Sequence, residues 1–419
     1  MQSFVSRLPQ ELIDMIIDEL DYDRDALRAM ALTSSKLVDR SRTHLHHHIR
    51  VPFKSPRAVT RLEAAFMGFM PYIRIFNLEY HQKNAHCIRS ARRIMHNLRH
   101  LEVVVLNLNM YEYDPELFRD FFPRDGNIRT LHLFDITFKT FHDFAHLLAH
   151  FPQLRELHMY NVTGTFSSDE SVACVTEDPP SLLEAIYADE HYFADIMSDW
   201  FAFCSTEVRI TRLKIFYPVT LDGAPLFRLM RKLSPTLTHL DLNLFPSGSR
   251  LTSSSDDIAV MHASFNGPLL AHMSNLQSLT FGRIPLCYPA SETPSEFSPP
   301  EWILNILKYV DTSSLRQINF NCSISRLEDI KSFPFNEVLS ILSARSFPLL
   351  NAISFSINDR RMFYTDLVAD VTRIIYKRLP ELASRNLLQV DISAEFTWAE
   401  ASLHSLMLRR VMARLDRSP

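Results

Sequence analysis

The chain has 419 residues, 46% of them hydrophobic and 22% charged, with a formal net charge of -4. Those proportions are globular and large enough for a substantial core, and the slight acidity leaves no global positive field to hold nucleic acid or an anionic membrane. A protein partner is therefore the default expectation; glycine is scarce (7 residues) and no glycine motif for phosphates, dinucleotides or an exposed nucleophile occurs, so the commonest enzyme signatures are absent.

Five cysteines (Cys87, Cys174, Cys204, Cys287 and Cys322) are scattered singly, an odd number with no CxxC pair. No basic segment followed by an apolar one opens the chain, so reduced thiols and a cytoplasmic or nuclear location are expected. No apolar run approaches the roughly 20 residues that cross a bilayer.

The first predicted element is LPQELIDMIIDEL, Leu8 to Leu20. Pro9 suits the first turn of a helix, where its missing N–H costs nothing. Leu12, Ile13, Ile16, Ile17 and Leu20 form a wide apolar stripe, with Glu11, Asp14, Asp18 and Glu19 outside it. Two further helices follow in DRDALRAMALTSS and SKLVDRSRTHLHHHI. Three helices in about 45 residues make a small core, which is expected to lean on the rest of the chain.

Beyond residue 70 one spacing recurs, apolar-x-x-apolar-x-apolar, starting at Ile73, Leu98, Ile128, Leu154, Leu183, Ile210, Leu237, Leu276, Leu315, Leu350 and Leu387. The last two apolar positions of each copy share one face of a short strand. Stretches between the copies, such as KTFHDFAHLLAHF and LFRLMRKL, carry helical spacing. One strand and one helix per unit predict an α/β solenoid in which each helix brings the next strand parallel to the last. The pattern resembles leucine-rich repeats in an irregular form, without the fixed asparagine of the standard consensus. The resemblance implies a horseshoe with parallel strands and outer helices over residues 51–419, and a conventional α/β domain is the other architecture these elements permit.

With the repeats in place, the opening helices resemble an F-box of the fungal type, the motif that docks substrate receptors onto the Skp-type adaptor of cullin-RING ubiquitin ligases. The matching positions are Leu8, Pro9, Glu11, Leu12, Ile16, Leu20, Leu27 and Leu32, within a domain of residues 4–50. The family's usual tryptophan is replaced by Leu37. The resemblance implies that those eight residues serve the adaptor and that the repeats hold a protein substrate. The chain would then act by proximity and would not be an enzyme.

On the implied repeat geometry, the residues of the concave sheet face alternate with the core positions. One column reads His132, His158, Tyr187, Lys214, Asp241, Thr280, Asn319, Ser354, Asp391, and the next begins Phe134, Tyr160, Asp189, Phe216. Exposed aromatics on a rigid sheet make interaction hot spots, so His132, Phe134, His158, Tyr160, Tyr187 and Phe216 are the candidate substrate-binding residues. Three Ser-, Pro- and acid-rich insertions, from Gly164, Pro246 and Leu286, are expected to share one rim and to attract a basic segment or simply to be solvated.

His142, His146 and His150 recur every four residues, but neither they nor the cluster of His44, His46, His47 and His48 brings a cysteine or well-placed carboxylate to complete a tetrahedral site. No metal, cofactor or catalytic set is assigned. Two rival readings remain open: a repeat scaffold outside any ligase whose terminal helices only cap the solenoid, and an α/β enzyme with a site dispersed in sequence.

Overall fold

The structure is a computed structural model that describes residues 8–20, 23–52, 68–79, 85–118, 121–122, 126–164, 178–188, 197, 200–201, 209–218, 224–245, 270–286, 301–324, 326–359 and 365–391. The chain divides into two compact units, one within 1–216 and 224–237, the other within 217–223 and 238–419.

The first unit opens with α1 (Gln10–Asp18), α2 (Arg24–Thr33) and α3 (Ser35–His46). Asp23 and Ser34 cap α2 and α3, their side chains accepting from Ala26 N at 2.9 Å and Lys36 N at 3.3 Å. Ile13, Ile17, Leu27, Leu37 and Leu45 form the bundle core. Leu37 thus packs inside, in the position where the F-box resemblance expects tryptophan. The chain leaves α3 at His47 and passes straight into strand β1 (His48–Pro52), which the spacing analysis had placed within a helix. Ile49 and Val51 alternate into the core, and Pro52 cannot extend a helix.

β2 (Ile75–Glu79), β3 (Val103–Glu112), β4 (Thr130–Phe138), β5 (Glu156–Gly164), β6 (Ala185–Ala188) and β7 (Arg212–Pro218) follow β1, each pairing parallel with its sequence neighbour. The second unit repeats the arrangement with β8 (His239–Phe245), β9 (Ser278–Pro285), β10 (Gln317–Ile324), β11 (Ala352–Asp359) and β12 (Leu388–Asp391). Each unit is an α/β solenoid of parallel strands joined by crossover segments.

Strands β2 to β7 and β9 to β11 begin on the same device. The carbonyl of the residue preceding one strand accepts two backbone N–H groups from the next repeat: His47 O from Arg74 and Ile75, Arg74 O from Glu102 and Val103, Glu102 O from Arg129 and Thr130, Arg129 O from Arg155 and Glu156. In the second unit Thr238 O, Gln277 O and Arg316 O do the same.

Core columns follow from this register. Phe76, Val104, Leu131, Leu157, Ile186 and Leu213 stand in one row of the first unit, all buried. Two of the spacing copies were out of phase. The third repeat's core positions are Leu101, Val104 and Leu106, three residues after the copy read at Leu98, because LEVVVLNL offers several apolar phases. On β12, Leu388 stands beside Ile353 and Val390 beside Phe355, a shift of two caused by the adjacent Leu387 and Leu388.

Crossover helices close the core from one side. In α4 (Ala85–Asn97), Ile88, Ala91, Ile94 and Met95 are buried; α5 is the short Pro115–Phe118; in α6 (Phe141–Ala149), Phe144, Leu147 and Leu148 are buried behind a Thr140–Asp143 capping box. The helix α7 (Ala224–Leu233) buries Leu226, Leu229, Met230 and Leu233.

In the second unit Phe281, Phe320 and Phe355 stack across three strands with centroids 5.3 and 5.0 Å apart. Arg345, after helix α9 (Phe335–Ala344), donates to Leu307 O at 2.7 Å and Val310 O at 2.8 Å, capping helix α8 (Glu301–Tyr309). Phe320 is fully buried between its two neighbours. Phe320→Ala is therefore expected to cost about 3–5 kcal/mol, read as a lower urea midpoint for the second unit.

Candidate functional site

Two surfaces carry the residues singled out by the sequence. The first is the outer side of the helical bundle. Its core takes Ile13 and Ile17 from α1, which turns Leu12 (46% exposed), Met15 (63%) and Ile16 (49%) outward; Leu32 on α2 is 88% exposed. Pro9 and Glu11 are exposed as well. Leu8 and Leu20 are half-buried against the bundle core, and Leu27 is fully buried within it. Leu27 is thus a structural residue and cannot touch a partner. Met15, absent from the predicted stripe, lies on the outer face because it is two residues from both Ile13 and Ile17, across the helix from the buried side.

Asp18 sets the pitch of α1 against α3. Arg40 Nε and Nη2 donate to its two carboxylate oxygens at 2.6 Å each, and His44 Nε2 lies 2.8 Å from Oδ1. The Arg40 fork, supported by His44, lowers the Asp18 pKa to about 2. The bundle is also tied to the first repeat. Tyr72 Oη donates to Asp39 Oδ1 at 2.9 Å, and His46 stacks on Phe69 with centroids 3.9 Å apart.

The second surface is the sheet face opposite the helices. In the first unit the parallel register places Arg50, Asn77, Val105, His132, His158, Tyr187 and Lys214 in one column. His132 stacks on His158 and His158 on Tyr187, each pair with centroids 4.2 Å apart; in the next column Phe134 stacks on Tyr160 at 4.4 Å. The rings consume one another's faces and leave mainly their edges to solvent. Tyr160 (7% exposed) and Phe216 (3%) are buried, against the expectation of exposed hot-spot aromatics, while His132, Phe134, His158 and Tyr187 are half-buried. Burial of a flat ring beside its neighbours outweighs the outward direction of the strand position.

His158 Nδ1 lies 3.0 Å from Tyr160 Oη, and its other edge faces Glu156, which holds Arg212 at 2.7 Å. Burial keeps both imidazoles neutral, lowering His132 to about 3 and His158 to about 4. At the start of the column Arg50 pairs with the buried Glu79.

Three successive strands carry an Asx residue at positive φ, Asn109 (53°), Asp135 (52°) and Asn161 (52°), and Asn161 Nδ2 donates to Asp135 Oδ1 at 2.7 Å. Asp135 and Asn161 each insert one residue, so that Ile136 and Val162 return to the core. The motifs F-D-I and Y-N-V were the available signal for this.

The second unit's column is polar: Asp241, Thr280, Asn319, Ser354 and Gln389. Gln389 takes the place assigned to Asp391, which lies beside Ser356 instead. Gln317 Nε2 donates to Asn319 Oδ1 at 2.8 Å, and Asn319 Nδ2 to Thr280 Oγ1 at 2.9 Å. Asn243 is buried, donates to Asp241 Oδ1 at 2.9 Å, and lies across Gly282, where any Cβ would overlap its carboxamide.

The bulk of all three acidic insertions and the position of Asp189 lie outside the described residues. His150 Nδ1 lies 2.8 Å from His146 O, so this pair is engaged with its own helix. No group of metal-ligating side chains forms among the described residues. An apolar void behind β6 and β7 is lined by Ile186, Met197, Phe201, Leu213 and Leu229 and holds no titratable group.

No family model matches the sequence, and no curated protein matches it. Among solved structures, the leucine-rich repeat-containing protein LegL7 from Legionella pneumophila is 12% identical, with 75% of this chain and 89% of that one covered and a TM-score of 0.41. A chain of the yeast Rad7 and Elc1 complex is 14% identical, with 85% and 91% covered and a TM-score of 0.33. The architecture assigned above rests on the strand register and the apolar columns.

Two expectations about pH follow. The two histidines are depressed below the usual value near 6.5, so between there and about pH 4 the unfolded chain binds protons that the fold does not, and stability falls as pH falls. His132→Phe should remove roughly one proton from that dependence, measured as the slope of unfolding free energy against pH. Asp18 behaves oppositely in origin: its contribution is present above the usual carboxylate range and is lost as pH falls through about 2. Because Asp18 is 41% exposed, salt screens part of this effect. Asp18→Asn should accelerate amide exchange in α1 at neutral pH, with the difference shrinking as pH falls toward about 2.

Proposed function

We propose that the chain is a substrate receptor of a Skp–cullin–F-box ubiquitin ligase, with the helical bundle docking the adaptor and the sheet face of the repeats engaging a protein substrate. The observation that carries this reading is the run of exposed apolar side chains, Leu12, Met15 and Ile16 on α1 with Leu32 on α2, on a bundle whose own core is already filled by other residues. Large apolar side chains held at the surface by a folded element are characteristic of an interface. The L-P-x-E-L-x-x-x-I opening places Pro9, Glu11, Leu12 and Ile16 on that same outer side.

The mechanism is proximity. A partner on the bundle and a substrate on the repeats are held by one body, since α3 runs into β1 and both belong to the first unit. Such tethering raises the effective concentration of a substrate lysine near a charged enzyme carried by other subunits. A second reading, that the bundle is a terminal cap of a scaffold outside any ligase, is favoured by one feature. His47 O opens the ladder of double hydrogen bonds, as the carbonyl of a preceding repeat would.

Co-purification with a recombinant Skp-type adaptor separates the two. The native chain is expected to bind at a fixed stoichiometry, and Leu12→Asp/Ile16→Asp, which alters only surface side chains, to lose roughly tenfold or more with unchanged circular dichroism. A native chain that does not bind the adaptor leaves the capping role.

A further inference from the structure

Charge is segregated along the first unit in a way the docking reading does not use. Residues 8–35 contain seven acidic and two basic side chains, whereas residues 36–100 contain thirteen Lys and Arg against three Asp and Glu. The excess culminates around α4. Between Glu79 and Glu102 there is no acidic residue, while Lys83, Arg89, Arg92, Arg93 and Arg99 contribute five formal positive charges to a chain of net -4. On α4 and the turn that follows it the division is by face: Ile88, Ala91, Met95 and Leu98 point into the core, and Arg92, Arg93, His96, Arg99 and His100 are exposed.

We propose that this outer face of α4 docks an acidic polypeptide segment of a partner protein. Guanidinium forks match carboxylates two bonds at a time and shed their hydration readily, so clustered arginines select carboxylate groups better than lysines would. A helix of 13 residues spans about 20 Å, the reach of about six residues of extended chain. Nucleic acid fits less well. Among the described residues the face exposes no Phe, Tyr or Trp on which bases could stack, and the acidic excess elsewhere in the chain repels a long polyanion while tolerating a short one. The site lies on a crossover helix of the first unit, and none of its residues is among those assigned to the adaptor or to the sheet face.

Fluorescence polarisation with a labelled peptide of about eight Glu and Asp residues tests this on the full chain. The native protein is expected to bind, and to bind less as salt rises from about 50 to about 200 mM. Arg92→Glu/Arg93→Glu/Arg99→Glu should weaken binding by roughly tenfold or more. Lys377→Glu/Arg378→Glu/Arg385→Glu, which makes the same change in net charge at exposed positions of the second unit, should leave it within about twofold. Should the reversed helix not fold by circular dichroism, Arg93→Gln/Arg99→Gln replaces it, with a smaller loss expected. The proposal is overturned by absence of peptide binding, by equal losses in the two charge-reversed proteins, or by tighter binding of single-stranded DNA than of the peptide. None of these results depends on whether the adaptor binds.

Discussion

One carbonyl per repeat holds this protein in register. By accepting the N–H groups of the residue before the following strand and of that strand's first residue, the carbonyl ahead of most strands fixes where its neighbour starts, and the columns on either face inherit that choice. Because the side-chain period along a strand is two, an error of one residue would turn a row of Leu, Ile and Phe toward solvent. Parallel strands cannot be set by tight turns, since each is separated from the next by a helix or loop of variable length. The ladder of shared carbonyls does that work locally, and it lets repeats of unequal length stack without loss of alignment.

The two faces of the sheet then obey different physics. Toward the helices, apolar rows are closed from water and supply the cohesion that a single repeat lacks. Away from them, the same register lines up whatever the sequence places there. In the first unit that is a set of flat rings about one strand spacing apart, which satisfy their apolar surface by stacking on each other and thereby lose exposure. In the second it is a line of amides and hydroxyls that hydrogen-bond along a strand and across to the next. A surface of the first kind presents edges with defined donors and acceptors, and a partner that recognises it must match their positions along the sheet.

Much of this was legible in the amino-acid sequence because the core rows depend only on local apolar spacing. Ile128, Leu154, Ile210, Leu237, Leu276, Leu315 and Leu350 open copies whose phase the register reproduces. Phase was lost where apolar residues are contiguous, as in LEVVVLNL and at Leu387–Leu388, since periodicity cannot choose among adjacent candidates. β1 was hidden because histidines that end a helix are indistinguishable in composition from those that start a strand. The bundle's outer residues were half legible: the spacing gave the stripe, but only packing decided that Ile13 and Ile17 go in while Leu12, Met15 and Ile16 stay out. Leu27 shows the converse, an apparent interface position taken by the core.

The contact between Asn243 and Gly282 has a bearing on how such a chain can diverge. A carboxamide occupies the volume that a side chain on the adjacent strand would fill, so the two positions behave as a single inherited character. A side chain gained at 282 would have to displace the Asn243 carboxamide, and with it the hydrogen bond that Asp241 now accepts. Substitutions at these two sites are therefore expected to be coupled in their effect on stability.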